Sequence, residues 1–251
     1  MIVQIGVILA FIAMIGWGFG DFFIQKSIRK VGDWETLFII TFFGAIVLTP
    51  FVYKNIPELF SFNPKLWILL IASLVLFIAA LLDFEALKKG KLDIVEPIWS
   101  LEIPISAILA FIILKESINL NQIILIASLI VGLVLVSLKS NIMSNKILLE
   151  KGVFIAIIAA MFMGVANFLI GWGTRASDAL MMNWFLNVFI AILSFAFIFI
   201  DSDLKNMIRH YKTQKKTWVS MCLFDNAAWV AFAFAMSLAP IAITVALQIV
   251  I

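Results

Sequence analysis

Asp21, Glu96, Glu102 and Asp225 are carboxylates inside long apolar runs of this chain. A charged side chain in the middle of a lipid-embedded helix costs about 2.5–3.5 kcal/mol on insertion scales, so such residues are candidates for function. Glu96, Pro97, Trp99, Glu102 and Pro104 share one run, with Trp99 three positions from each glutamate. Three-residue spacing puts side chains on one helix face. An aromatic ring between two carboxylates suits a cationic or amphipathic substrate, and the carboxylates could take up and release protons. The competing reading pairs one glutamate with Lys88, Lys89 or Lys91 at a helix end. The two prolines are expected to kink this helix and free backbone carbonyls.

Trp17, Asp21 and Gln25 recur every four residues and share another face. There Asp21 either joins a site or ends an apolar helix at the lipid interface. Asp225, Asn226 and Trp229 form a third group, in which Asp225 has no basic neighbour within its run. Asn167, Asn183 and Asn187 either meet substrate or hydrogen-bond between helices, where a pair is worth about 0.6–2 kcal/mol. Asp83 and Glu85 are spaced for ion pairs with Lys88 and Lys89 and read as structural.

Other chemistries find little material. The one histidine, His210, falls in a charged loop, and the one cysteine, Cys222, reads as packing. No metal, cofactor or disulfide is therefore expected. Nothing resembles a catalytic nucleophile in or near the membrane, so an enzyme is not expected. Gly16-x-Gly18-x-Gly20 lies in an apolar helix with no strand before it. It reads as a helix-packing face, not a nucleotide loop.

The elements that must position these groups follow from composition. Apolar residues make up 64% of the 251, charged residues 13%, and mean hydropathy is +1.15. Soluble domains run about 45–50% apolar and about 25% charged, so lipid must be part of this chain's solvent. A net charge of +3 is what basic loops between spans give and calls for no nucleic-acid partner. Eight stretches are long enough to cross a bilayer: 3–24, 35–53, 66–87, 93–114, 121–138, 152–173, 181–200 and 217–237, with a ninth from Ile241. They are too long and too evenly apolar for barrel strands, so all are expected to be helices. The first is not a cleaved leader: no Lys or Arg precedes it, and Lys26, Arg29 and Lys30 follow it. Fourteen of the 18 basic residues lie in loops after odd-numbered spans, which puts the N-terminus outside by the positive-inside rule.

The chain also resembles itself. At a shift of 146, Gly6-Val7 falls on Gly152-Val153, Gly18 on Gly164, Asp21 on Asn167 and Arg29 on Arg175. At a shift of 149, Ala86-Leu87 falls on Ala235-Met236 and Ile94 on Ile243. Five spans separate the two starts, so the halves face opposite ways, as in many secondary transporters. The expected organisation is a first five-helix repeat over 1–140, a loop over 141–151 and a second repeat over 152–251. The second repeat stops in its fourth helix, so a chain cut short of a tenth span is expected; a true nine-span protein is the alternative.

Three stretches carry a family resemblance: Trp17-Gly18 with Lys26; Ala86-Leu87-Lys88-Lys89-Gly90 running to Leu101-Glu102-Ile103-Pro104; and Lys115-Glu116, Gln122 and Val131-Gly132. Met163-Gly164 and Ala235-Met236-Ser237-Leu238-Ala239-Pro240 answer them in the second half. Together they resemble the drug/metabolite transporter superfamily, in particular the EamA-type ten-helix permeases. Two departures stand: Ile103 separates Glu102 from Pro104, and Ala127-Ser128 replaces a usual glycine. The resemblance implies a cytoplasmic N-terminus, against the charge count. It also implies an all-α, multi-pass permease of the cell membrane. Such a permease would carry small metabolites or drug-like compounds by alternating access, with or without proton coupling, and could pair as a homodimer. The expected site comprises Trp17, Asp21, Glu96, Trp99, Glu102, Asn167, Asp225 and Trp229. A membrane sensor or assembly protein, keeping its acids for helix packing alone, is the alternative from another class.

Overall fold

The computed structural model describes residues 2–59, 64–90, 98–116, 151–201 and 204–248, with positions 95, 120, 123, 124, 127, 128 and 131. Among these residues no strand occurs, and the chain is an all-α polytopic membrane protein. The helices are α1 (Ile2–Ile28), α2 (Asp33–Val52), a single turn α3 (Ile56–Leu59), α4 (Pro64–Lys89), α5 (Glu102–Ile113), α6 (Lys151–Ala176), α7 (Ala179–Asp201), α8 (Leu204–Leu238) and α9 (Ile241–Gln248). Six of the described helices are long and apolar enough to cross a bilayer: α1, α2, α4, α6, α7 and the Gln214–Leu238 part of α8. Each rises about 1.5 Å per residue, so 20 or more residues reach about 30 Å. The expected fifth span, 121–138, lies almost wholly outside the described residues.

The helices pair lengthwise. α1 lies along α8, α4 along α6 and α2 along α7, while α5 crosses α6 and meets α9, which also touches α1. The seams are lined by small residues such as Ala10, Ala13, Ala72, Ala156 and Ala228, all fully buried. In lipid, small side chains let backbones approach and gain dispersion contact that hydrophobicity alone cannot supply. Phe19, Phe22, Ile46, Phe51, Phe111 and Ile192 point outward, where acyl chains can solvate them.

Glycines mark the closest crossings. A Cβ on Gly16 would come within 2.9 Å of the Ala228 Cβ, and one on Gly20 would sit 3.6–3.8 Å from Asp225, so this face of α1 is seated on α8. At one end of the bundle Gly6 abuts Ala239, and at the other Gly152 abuts Gly90. α1 and α6 thus begin at opposite ends.

One local expectation is corrected. The 201–216 connection, which was to hold His210 in a loop, is helical from Leu204 and joins the span through a kink at Gln214 (φ −116°, ψ 16°). Its run of Lys, Arg and Gln without Gly or Pro favours helix. Around Pro104 the run is interrupted: Ile98 and Trp99 are helical, Ser100 and Leu101 form a turn, and α5 restarts at Glu102 with Pro104 in its first turn, where no intrahelical N–H bond is lost. Pro97 lies outside the described residues.

Candidate functional site

Glu102 opens α5 and is 5% exposed. Asn167 of α6 donates from Nδ2 to its Oε2 at 3.0 Å, and Gln248 of α9 donates from Nε2 to its Oε1 at 2.6 Å. Both carboxylate oxygens therefore accept from amides on two other helices. The approach depends on Gly164: a Cβ there would fall 2.9 Å from the Glu102 carbonyl and 2.8 Å from the Ile105 Cβ. With only hydrogen at that position, α6 can bring Asn167, three residues on, up to Glu102.

Asp225, in the middle of the spanning part of α8, is 6% exposed. The indole N–H groups of Trp17 and Trp229 come close to it, and an indole N–H can only donate. The two rings meet edge to face at 5.0 Å, and Phe232 closes the triad at 5.1 Å from Trp17 and 6.0 Å from Trp229. Such ring pairs add about 0.5–1.5 kcal/mol beyond area burial. Beside them runs an amide ladder. Asn183 Nδ2 donates to the Trp229 carbonyl at 3.2 Å, Asn187 Nδ2 to the Asn183 carbonyl at 3.0 Å, and Asn226 Nδ2 to the Ile40 carbonyl at 3.1 Å. Gly44 makes room for it, since a Cβ there would collide with Asn226 Oδ1 and the Asn187 amide.

The two carboxylate groups border one apolar cluster. Ile103 and Phe168 come to it from the Glu102 side, Ala228 and Phe232 from the Asp225 side, with Trp17 and Trp229 packed against it. Trp99 is half-buried and, like Trp229, packs against the neighbouring cluster. Asp21 is half-buried on α1, and Glu96 lies outside the described residues. Glu85 pairs with Lys89, and with Lys88 at 4.0 Å, while Lys88 reaches Asp33 at 3.1 Å. Among the described residues no His, Cys, Asp and Glu group could hold a metal ion.

Sequence reasoning missed Gln248, although it is the one polar side chain between Thr244 and Ile251. It also missed two arginine clamps. Arg29 donates from Nη2 to the carbonyls of Leu87 (3.2 Å) and Gly90 (2.8 Å) at the end of α4. Arg175 donates to those of Met236 (3.1 Å) and Ala239 (2.9 Å) at the end of α8. A cation there satisfies orphan carbonyls and meets the negative end of the helix dipole. Arg175 further pairs with Glu116, whose Oε2 accepts the Ile241 N–H at 3.1 Å.

Residues 4–138 match the sequence pattern of the EamA-like transporter family. An uncharacterized protein of Methanocaldococcus jannaschii is 29% identical over 136 residues, which take in 53% of this chain and 97% of the archaeal one.

Proposed function

This chain belongs to the EamA-like transporter family, a membrane transporter family of the drug/metabolite type, and from that premise we propose that it moves a small metabolite or drug-like compound by alternating access. One observation carries the reading: Glu102 is buried where α5, α6 and α9 meet, and amides from two of those helices bind both its oxygens. A carboxylate so placed is costly unless it has work to do. In this reading Asp225 with Trp17 and Trp229 forms the other side of the substrate site across the shared apolar cluster, with Asp21, Trp99 and Asn167 as further members; Glu96, expected there from the sequence, lies outside the described residues. One of the acids takes up a proton or a cationic group in each cycle, and the protein resides in the cell membrane.

The moving parts are two inverted repeats, 1–140 and 152–251. What supports the inversion is the pair of clamps. Arg29 and Arg175 stand 146 apart, while Leu87 and Met236, like Gly90 and Ala239, stand 149 apart. Those are the two shifts at which the sequence resembles itself. Gly6 on Ala239 and Gly152 on Gly90 obey the same shifts at opposite ends of the bundle.

The test is uptake of fluorescent or radiolabelled metabolites into proteoliposomes with and without a proton gradient. Gradient-driven accumulation is the expected result. Flux that ignores the gradient would remove the coupling and leave an uncoupled exchanger; no flux for any small metabolite would sink the transport reading.

A further inference from the structure

The Glu102 group has a surplus of one kind. Gln248 spends its N–H on Glu102, and this fixes which way its amide faces: turned over, Oε1 would meet a carboxylate oxygen. Its Oε1 then stands buried with no hydrogen-bond partner, on a side chain only 9% exposed. A buried acceptor left unpaired has lost its water without a replacement. Beside it is a carboxylate, which in its charged form only accepts. One kind of group can pair Gln248 Oε1 while favouring the carboxylate beside it: a cation that carries N–H donors.

We infer that Glu102 and Gln248 form the recognition site for a protonated amine, a primary or secondary ammonium, and select it against quaternary ammonium ions. This deepens the transport reading and rests on Glu102 belonging to its substrate site. A quaternary ammonium carries the same charge and suits an aromatic wall, but has no hydrogen to give to Gln248 Oε1. Recognition through the carboxylate and rings alone would favour or tolerate the quaternary ion. Recognition through both acceptors rejects it, because Oε1 is then left unpaired against a methyl group. Gln248 is in this scheme a positioning and selectivity residue: its N–H orients Glu102 and its oxygen reads the ligand.

The experiment compares benzylamine with benzyltrimethylammonium on the full chain in lipid nanodiscs, by calorimetry or tryptophan fluorescence, and then measures their flux in proteoliposomes. Benzylamine is expected to bind about tenfold or more tighter, the worth of a hydrogen bond to a charged donor. Gln248→Met is expected to bring that ratio close to one while the protein still elutes as a folded monodisperse species. Because the ratio is first read on the unaltered chain, a variant that fails to fold does not shield the inference. Equal or tighter binding of the quaternary probe, binding of neither, or a ratio unchanged in folded Gln248→Met would overturn it. Selective amine binding with no flux of any compound would keep the site and remove the transport reading. Flux of a metabolite with which benzylamine does not compete would keep transport and remove the site.

Discussion

The two buried carboxylates are held by different chemistry. Glu102 is gripped by amides, Asn167 and Gln248, which reach it from α6 and α9. Asp225 is flanked by indoles, one from α1 and one from its own helix, in an aromatic triad. An amide carries an acceptor as well as a donor, so the Glu102 group can bind a second partner through the same side chain. An indole has only its donor, and once that is used it offers a ring face. The Glu102 end is built to read hydrogen-bond donors, the Asp225 end to present a shaped apolar wall with one charge behind it.

That contrast can be broken in five ways, in falling order of effect. Glu102→Gln removes the anion and leaves an amide facing two amides; transport is expected to fall by about a hundredfold, the worth of two charge-assisted hydrogen bonds. The same assay on Asp225→Asn is expected to lose only about tenfold, since an amide oxygen can still accept from one indole. Equal losses would erase the distinction between the ends. Gly44→Ala forces a methyl into the Asn187 and Asn226 ladder that supports Trp229, and should cost about 1–3 kcal/mol in thermal unfolding. Arg175→Leu should destabilise more than Arg29→Leu, by about 1 kcal/mol, because it also strands Glu116. A larger loss at Arg29 would show that the Glu116 bridge adds nothing. Trp229→Phe keeps a ring and drops one N–H; a change in flux of about threefold to tenfold is expected. A loss as deep as that of Glu102→Gln would mean the indole bond, not the wall, is what matters.

Much of this was readable beforehand, and the failures have causes. The helical class followed from composition, because lipid leaves the backbone few other options. The pairing of Trp17 with Asp225 could not be read, since it joins the first helix to the eighth and no local spacing encodes that. Glu102 was legible as a charge in an apolar run, and Asn167 as the counterpart of Asp21, but their contact depends on Gly164, which counts as a packing glycine until the crossing is seen. Gln248 was overlooked because it sits near the end of the chain in a run read only for its length. Pro104 was legible as a breaker of its run, but that the break falls at Ser100 and Leu101, with Glu102 opening a new helix, shows only in the fold.

The arginine clamps also bear on how the chain is assembled. Each closes between positions 61 and 64 apart at its wider bond, so the first can form once the segment ending at Gly90 has been made. The seam of α1 on α8 joins the two extremes of the sequence. During synthesis the Gly16 and Gly20 face must therefore wait, pressed against lipid or against the insertion machinery, until α8 arrives. A ribosome-bound fragment ending before α8 should hold a closed clamp while the Gly16 and Gly20 face of the first helix still lacks its seat.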